Sequence, residues 1–425
     1  MKKLLFLFSI AALALGGCKD SVTEMVTYKV NEPVFLSTQA FRNSVKVTDE
    51  KRQITNIGKM CFYKDYLYIS EPEKGIHIID NRNPSSPQIV GFIELLGNAD
   101  LAIRNDRLYA DSYIDLVWFD ISNPALPSLT GRLDSIFPGA FPVTNNQYAI
   151  DYQKCVDGQK TGIIVGWNMK EKTEEVTHYT GGWWGEKDFA MNDAMYSGSS
   201  TGGSSTGVNG SMSRFTIYNG NLYSVIRNTM NIFDLTGDKP RKAAENLYLG
   251  WNVETIFSYK DNMFMGTPTG LVIYSVADPL KPTYQSSIRH VYGCDPVVVD
   301  NDLAYVTVHS TGNFCGQNTN ELEIIDVADV KKPKLLVTYG MKSPKGLGID
   351  NGKLFLCDDG LKVFSITKPE TLLANMVAHY SGMDGYDLIP FNNTLMMMAD
   401  DGIYQYSYSN SNEIKLLSKL PIIHN

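Results

Sequence analysis

The sequence predicts an all-β chain closed into a β-propeller of eight four-stranded blades, with seven as the alternative count. Three observations predict it. A unit recurs about every 41 residues, each unit holds four short strand-like runs, and the same turn chemistry separates those runs each time. A single four-stranded unit cannot bury both faces of its sheet, whereas a ring of such units can.

The period is read on strand B, the second run of each unit. It contains Tyr66-Leu67-Tyr68, Arg107-Leu108-Tyr109, Gln147-Tyr148-Ala149, Asn221-Leu222-Tyr223, Asn262-Met263-Phe264, Asp302-Leu303-Ala304, Lys353-Leu354-Phe355 and Thr394-Leu395-Met396. The central positions are 41, 40, 74, 41, 40, 51 and 41 residues apart. The two long steps are one period plus an insertion each, at about 181–213 and 309–320. The first unit reads as Lys59–Tyr63, Tyr66–Ser70, Gly75–Asp80 and Gln88–Glu94, strands A to D. The A–B turns hold Lys64-Asp65, Asn105-Asp106, Asn219-Gly220 or Asn351-Gly352, residues that tolerate positive φ. The B–C turns often end in glycine, as at Gly75, Gly360 and Gly402. The C–D turns carry spaced prolines, as in Pro84 and Pro87 or Pro279 and Pro282, which stop strand C because proline cannot extend a ladder. The third unit, 140–180, is irregular; if it is degraded or merged, the count is seven.

Strand C ends in Ile76-His77-Ile78-Ile79-Asp80, Leu116-Val117-Trp118-Phe119-Asp120, Asn231-Ile232-Phe233-Asp234 and Leu322-Glu323-Ile324-Ile325-Asp326. These runs, in phase with the period, resemble the LVIVD repeat. The last two units depart from it, with Phe364-Ser365 and Tyr406-Ser407 in place of the terminal Asp. The resemblance, to proteins many of which are Bacteroidetes lipoproteins, implies a propeller at the cell envelope. It implies no activity and no catalytic residues.

Composition agrees with this architecture and excludes others. Among 425 residues, 43% are hydrophobic, with 24 Tyr and 18 Phe, enough apolar material to exclude disorder. Lys+Arg 38 against Asp+Glu 46 gives a net charge of −8, which excludes a basic nucleic-acid binder. The N-terminus reads as an address. Lys2-Lys3 precedes an apolar run, Leu4 to Leu15, too short to span a bilayer, and then Leu15-Gly16-Gly17-Cys18. This resembles the lipobox of bacterial lipoproteins: residues 1–17 form a signal peptide, and Cys18 carries the lipid. Residues 18–54 are then a lipidated tether, in which Val26–Val30 reads as a strand and Ser37 as a helix cap. The propeller occupies 55–425. The expected location is the outer membrane of a Gram-negative bacterium, lipid-anchored and facing either side, with the anchor as the membrane contact.

In a propeller the B–C turns and D–A connections open on one face, so both insertions map to the same side, and insertions on one face often mark a binding surface. The residue eight before each central position starts strand A and faces the channel mouth on that side. These residues include Lys59, Asp100, Ala140, Arg214, Asp295 and Asp387. They read either as a hydrated salt-bridge ring or as a polar, cation-binding rim, with the metal unspecified. Glu254 and Asp384 stand beside them in sequence. Trp183 and Trp184 lie in the large insertion, where indoles suit sugar rings or a protein partner. His290, like His178 and His379, ends a D strand near the same face. Cys294 and Cys315 both fall at this face, and a disulfide between them would pin the smaller insertion. The Gly/Ser-rich stretch Ser197–Gly210 reads as a flexible loop, with no Walker-type lysine after it.

The functional expectation is a binding module that meets an envelope protein or a glycan through its insertion face and uses no cofactor. The alternative is a polysaccharide lyase or hydrolase working at the channel mouth with Asp100, Asp295, Asp387 or His290. Excision of 181–213 is expected to leave folding intact and abolish binding.

Overall fold

A computed structural model describes residues 20–137, 139–160, 162–180, 208–209, 211–226, 228–289, 296–309, 319–410 and 413–424. The chain is all-β, and its described residues form eight sheets, seven of which contain a four-stranded antiparallel blade. Blade 1 is Met60–Tyr63, Tyr66–Glu71, Gly75–Asp80 and Gln88–Glu94. Blade 2 runs from Leu101–Arg104 to Ser128–Leu133, and blade 3 from Phe215–Tyr218 to Arg241–Tyr248. Blades 4 to 7 follow without interruption, ending at strand Glu413–Pro421.

The count of seven is the alternative the sequence allowed. The third unit is not a blade. Its second half is one long strand, Gly162–Thr180, which pairs antiparallel along its length with Asp20–Ser37 near the N-terminus. Ala149–Ile150 adds a parallel third strand at Val30 and Asn31. Blade 2 therefore meets blade 3 directly, through a core of Tyr109, Trp118, Phe137, Phe215, Phe233 and their neighbours. Apolar clusters bridge the other junctions too, including blade 7 to blade 1, where Met396, Met398 and Ile403 pack on Met60, Leu67 and Ile69. That closes the ring. Each blade is built from four consecutive strands, so no exchanged strand completes the last sheet. Polar links span the closing junction instead: Ser418 donates to Pro84 O at 2.6 Å, Gln405 to Asn81 at 2.5 Å, and Ile423 N to Ile54 O at 2.9 Å.

Local chemistry explains the repeat. Both residues of every A–B turn have positive φ: Lys64-Asp65, Asn105-Asp106, Asn219-Gly220, Lys260-Asp261, Asn301-Asp302, Asn351-Gly352 and Asn392-Asn393. This geometry matches the right-handed twist of the flanking strands, and Asn, Asp and Gly tolerate it best. The Asp ending strand C caps the next turn. Asp80, Asp120, Asp234 and Asp326 each accept the backbone N–H two residues on, at 2.8–3.1 Å. In the last blade Ser407 accepts the backbone N–H of Ser409 at 3.4 Å within strand Gly402–Asn410. The proline turns also link blades, as Tyr68 donates to Pro124 O at 3.0 Å and Tyr223 to Pro279 O at 3.1 Å.

The N-terminal segment is tied to the ring. Ser37 caps the helix Thr38–Arg42, accepting Ala40 N at 3.2 Å. Phe41 is buried beside Tyr113, and Arg42 reaches the buried Asp115 of blade 2. Lys46–Thr48 extends blade 1 outward along strand D. Glu73, in a B–C turn, accepts Val143 N at 2.6 Å, which places the three-stranded sheet on the B–C face above blades 1 and 2.

Candidate functional site

Strand A of each blade lines the central channel, and its first residue stands at the mouth on the B–C face. The backbone confirms the shared register, since Ser70 N, Asp111 N, Val225 N and Cys357 N bond to the carbonyls of Lys59, Asp100, Arg214 and Gly346. Lys59, Asp100, Arg214 and Asp387 are brought together there, as the offset predicts. Ala140 is not, because it lies in the stretch leading to the three-stranded sheet. Asp295, His290, Trp183, Trp184, Cys294, Cys315 and Cys18 lie outside the described residues.

The mouth is not open. The end of the large insertion enters it: Val208–Asn209 pairs with Phe62 and Cys61 on strand A of blade 1, and Ser211–Ser213 sit across the axis. Ser211 Oγ donates to Asp387 Oδ1 at 2.9 Å and accepts Leu347 N at 2.7 Å, so one hydroxyl ties blades 6 and 7. Ser213 Oγ donates to Asp100, whose carboxylate also accepts Leu101 N at 2.8 Å and Arg214 N at 2.5 Å. Expected excision through 213 without loss of fold is therefore corrected: residues 208–209 and 211–213 form part of the ring's inner wall. Neither serine stood out in the sequence, where the preceding Gly/Ser run read as a loop. The available signal was Ser211-Met212-Ser213 directly before a strand A.

Lys59, Asp100 and Asp387 are 8%, 1% and 2% exposed. Burial pushes Asp387 up to about 6, against the pull of Lys59 and the bonds from Ser211 and Leu388. Burial raises Asp100 likewise, opposed by Lys59 and Arg214. Asp111 behind it accepts Ala99 N at 2.7 Å and Asp100 N at 2.9 Å, and burial carries it to about 7. Burial lowers Lys59 to about 8, while Asp100 and Asp387 act to raise it. Among the described residues no three His, Cys, Asp or Glu side chains converge to hold a metal ion. The rim is thus a buried, mutually compensating cluster and not a hydrated ring of surface charges. His379 bonds to Asp359 O at 2.9 Å, at the edge of blade 6. Cys61, Cys155 and Cys357 are buried free thiols.

The plug divides the space at the axis. Below it, Ser211 caps a cavity of about 170 Å³ walled by Val298, Leu347, Ile349 and Leu388. Above it, Lys59, Asp387, Met212, Pro72, Tyr386 and Met398 line a recess of about 190 Å³.

This cluster gives stability a defined pH dependence. The folded-state value of Asp387, about 6, lies above the ordinary carboxylate value near 3.9, so the folded chain binds that proton more tightly. Its contribution is complete below about pH 4 and is lost as pH rises through 6. Lys59 has the opposite sign: its contribution is complete above about pH 10.4 and is lost as pH falls through 8. Asp387→Asn should therefore flatten the melting temperature between pH 4.5 and 7 relative to the parent chain. Parallel profiles would contradict the assignment.

Comparison with known proteins agrees with the fold. Residues 61–94 and 99–135, which are blades 1 and 2, match the LVIVD repeat. No curated protein matches the sequence. The periplasmic gluconolactonase PpgL of Pseudomonas aeruginosa superimposes with a TM-score of 0.50 at 9% identity, over 86% of this chain and 95% of that one. A putative 6-phosphogluconolactonase from Bacteroides uniformis gives 0.49 at 10% identity, over 88% and 99%. Kluyveromyces lactis Hsv2p gives 0.46 at 10% identity, over 85% and 96%. At such identities the likeness is one of fold. The chain is a β-propeller that carries LVIVD repeats.

Proposed function

We propose that the protein is a cell-envelope binding module, lipid-anchored through Cys18 in the outer membrane, that engages an envelope protein or a glycan on its B–C face. The observation that carries this reading is the closure of the channel mouth by the chain's own residues 211–213. A sealed mouth turns this end of the ring into a surface for contact. The N-terminal segment and the end of the large insertion both build on that face. The rival reading, a lyase or hydrolase at the mouth working with Asp100, Asp295, Asp387 or His290, has less support: Asp100 is engaged in holding the plug, and Asp295 and His290 lie outside the described residues.

Excision of 181–207, leaving 208–213 in place, separates the insertion from the plug. The shortened chain should keep its melting temperature and lose crosslinks to its partner in intact envelopes. Crosslinks from the parent chain should map to B–C turns. Crosslinks that map to the outer D strands, or that survive the excision, would count against this face. Metabolic palmitate labelling should disappear in Cys18→Ala; persistent labelling would refute the anchor.

A further inference from the structure

The recess above the plug contains a group that the plug does not explain. Lys59 is more than nine-tenths buried, yet among the described residues no acceptor lies within 3.5 Å of its ammonium and no carboxylate within 4.0 Å. Other lysines on this face have partners: Lys345 with Asp384 at 2.6 Å, Lys362 with Asp358 at 2.6 Å, Lys74 with Glu71 at 2.7 Å. Asp100 and Asp387 act on Lys59 through their charge alone, being turned towards Ser213, Arg214 N and Ser211. The side chain is buried but its nitrogen keeps access to the recess, where it has no protein acceptor, and an amine held in that way is a candidate for ligand chemistry.

The surroundings narrow the ligand class. Asp100, Asp111 and Asp387 face two cations, Lys59 and Arg214, so the field does not favour an added anion. The walls, Ile57, Pro72, Met212 and Met398, are apolar. An uncharged molecule with one polar, electrophilic atom fits both facts. We propose that Lys59 is a carbonyl-capturing amine, which takes a small aldehyde or ketone into the recess and joins it as an imine.

The step balances without any outside oxidant or reductant. The neutral Lys59 nitrogen attacks the carbonyl carbon, and the C=O electron pair becomes a hydroxyl as the nitrogen's proton moves to oxygen. Asp387, which lines the same recess, protonates that hydroxyl in its acid form, water leaves, and the second N–H proton returns to the carboxylate. One water is released for each imine formed. The depressed value of Lys59, about 8, supports the chemistry: about 10% of the amine is neutral at pH 7, against roughly 0.04% for an ordinary lysine near 10.4. Burial sets it, opposed by the charges of Asp100 on blade 2 and Asp387 on blade 7 and reinforced by that of Arg214 on blade 3. This inference is independent of whether the B–C face binds a partner.

The test is reductive alkylation of the full chain with acetaldehyde and cyanoborohydride at pH 7, followed by peptide mapping. Lys59 should be ethylated on the order of 100-fold faster than exposed lysines such as Lys331, with only the α-amino group reacting comparably. Label spread over the exposed lysines while Lys59 lags would overturn the proposal. Acetate at the same concentration should not protect Lys59; full protection would mark an anion site and overturn it as well. Although loss of the Asp387 charge enlarges the neutral fraction of Lys59, Asp387→Asn should slow Lys59 labelling at least tenfold through loss of the acid, with exposed lysines unchanged. An unchanged rate would overturn the part given to Asp387.

Discussion

Asp115→Ala is expected to lower stability by about 3–5 kcal/mol and to release the N-terminal segment from blade 2. Asp115 opens strand C of blade 2 and is fully buried. Its two oxygens receive Arg42 Nε at 2.9 Å, Arg42 Nη2 at 3.2 Å, Arg132 Nη1 at 2.8 Å and Ser135 N at 2.7 Å. One carboxylate thus holds the short helix, the end of strand D and the start of the excursion that builds the three-stranded sheet. Truncation leaves Arg132, 12% exposed beside Phe41, without its carboxylate, and leaves Arg42, 26% exposed, only its ion pair with Asp134 at 2.8 Å. An uncompensated buried charge is costlier than the pair is stabilising, and that asymmetry sets the size of the effect. Denaturant unfolding and limited proteolysis between residues 20 and 48 check it together. A loss below about 1 kcal/mol with unchanged cleavage would show that the segment is held elsewhere.

Gly75→Ala should cost about 3 kcal/mol or more, and Gly360→Ala a similar amount, whereas Gly250→Ala should cost about 1 kcal/mol. Gly75 and Gly360 end the B–C turns of blades 1 and 6 with φ of +152° and +100°. A Cβ on either would stand 1.9 Å from a strand D carbonyl, Ile93 O or Tyr380 O. The clash is with backbone, so a rotamer change cannot relieve it, and the D strand must leave the ladder. Gly250 also has positive φ, at +79°, but nothing lies within 4 Å of its Cβ position, so that substitution incurs only conformational strain. Equal losses at all three positions by denaturant unfolding would contradict the steric argument.

These glycines show what the sequence disclosed. Repeating features with local causes were legible: positive-φ pairs such as Asn105-Asp106, turn-capping Asp residues such as Asp120, and proline turns at Pro124 and Pro279. Each depends on residues within a few positions, so its signal recurs in phase. The eight-residue offset also placed Lys59, Asp100, Arg214 and Asp387 at one mouth. The third unit misled because Gln147-Tyr148-Ala149 carries the strand B pattern without the rest of the unit. Its Gly162–Thr180 strand pairs with residues from Asp20 onward, a contact between distant segments that periodicity cannot reveal. The plug failed for the same reason. Ser211 meets Asp387 across 176 residues of sequence and Ser213 meets Asp100 across 113. Lys59 was legible as a mouth residue, but its lack of a partner is a property of three dimensions.

The central claim is that the chain seals its own channel mouth, and amide hydrogen exchange tests it most directly. Arg214 N is bonded to Asp100 and Leu347 N to Ser211, so both amides report on the plug from opposite sides of the ring. Both should exchange as slowly as the central strands of the blades, and Ser211→Ala should speed Leu347 while sparing strand C of blade 2. Exchange of both amides at the rate of open loops in the parent chain would mean that the mouth stands open.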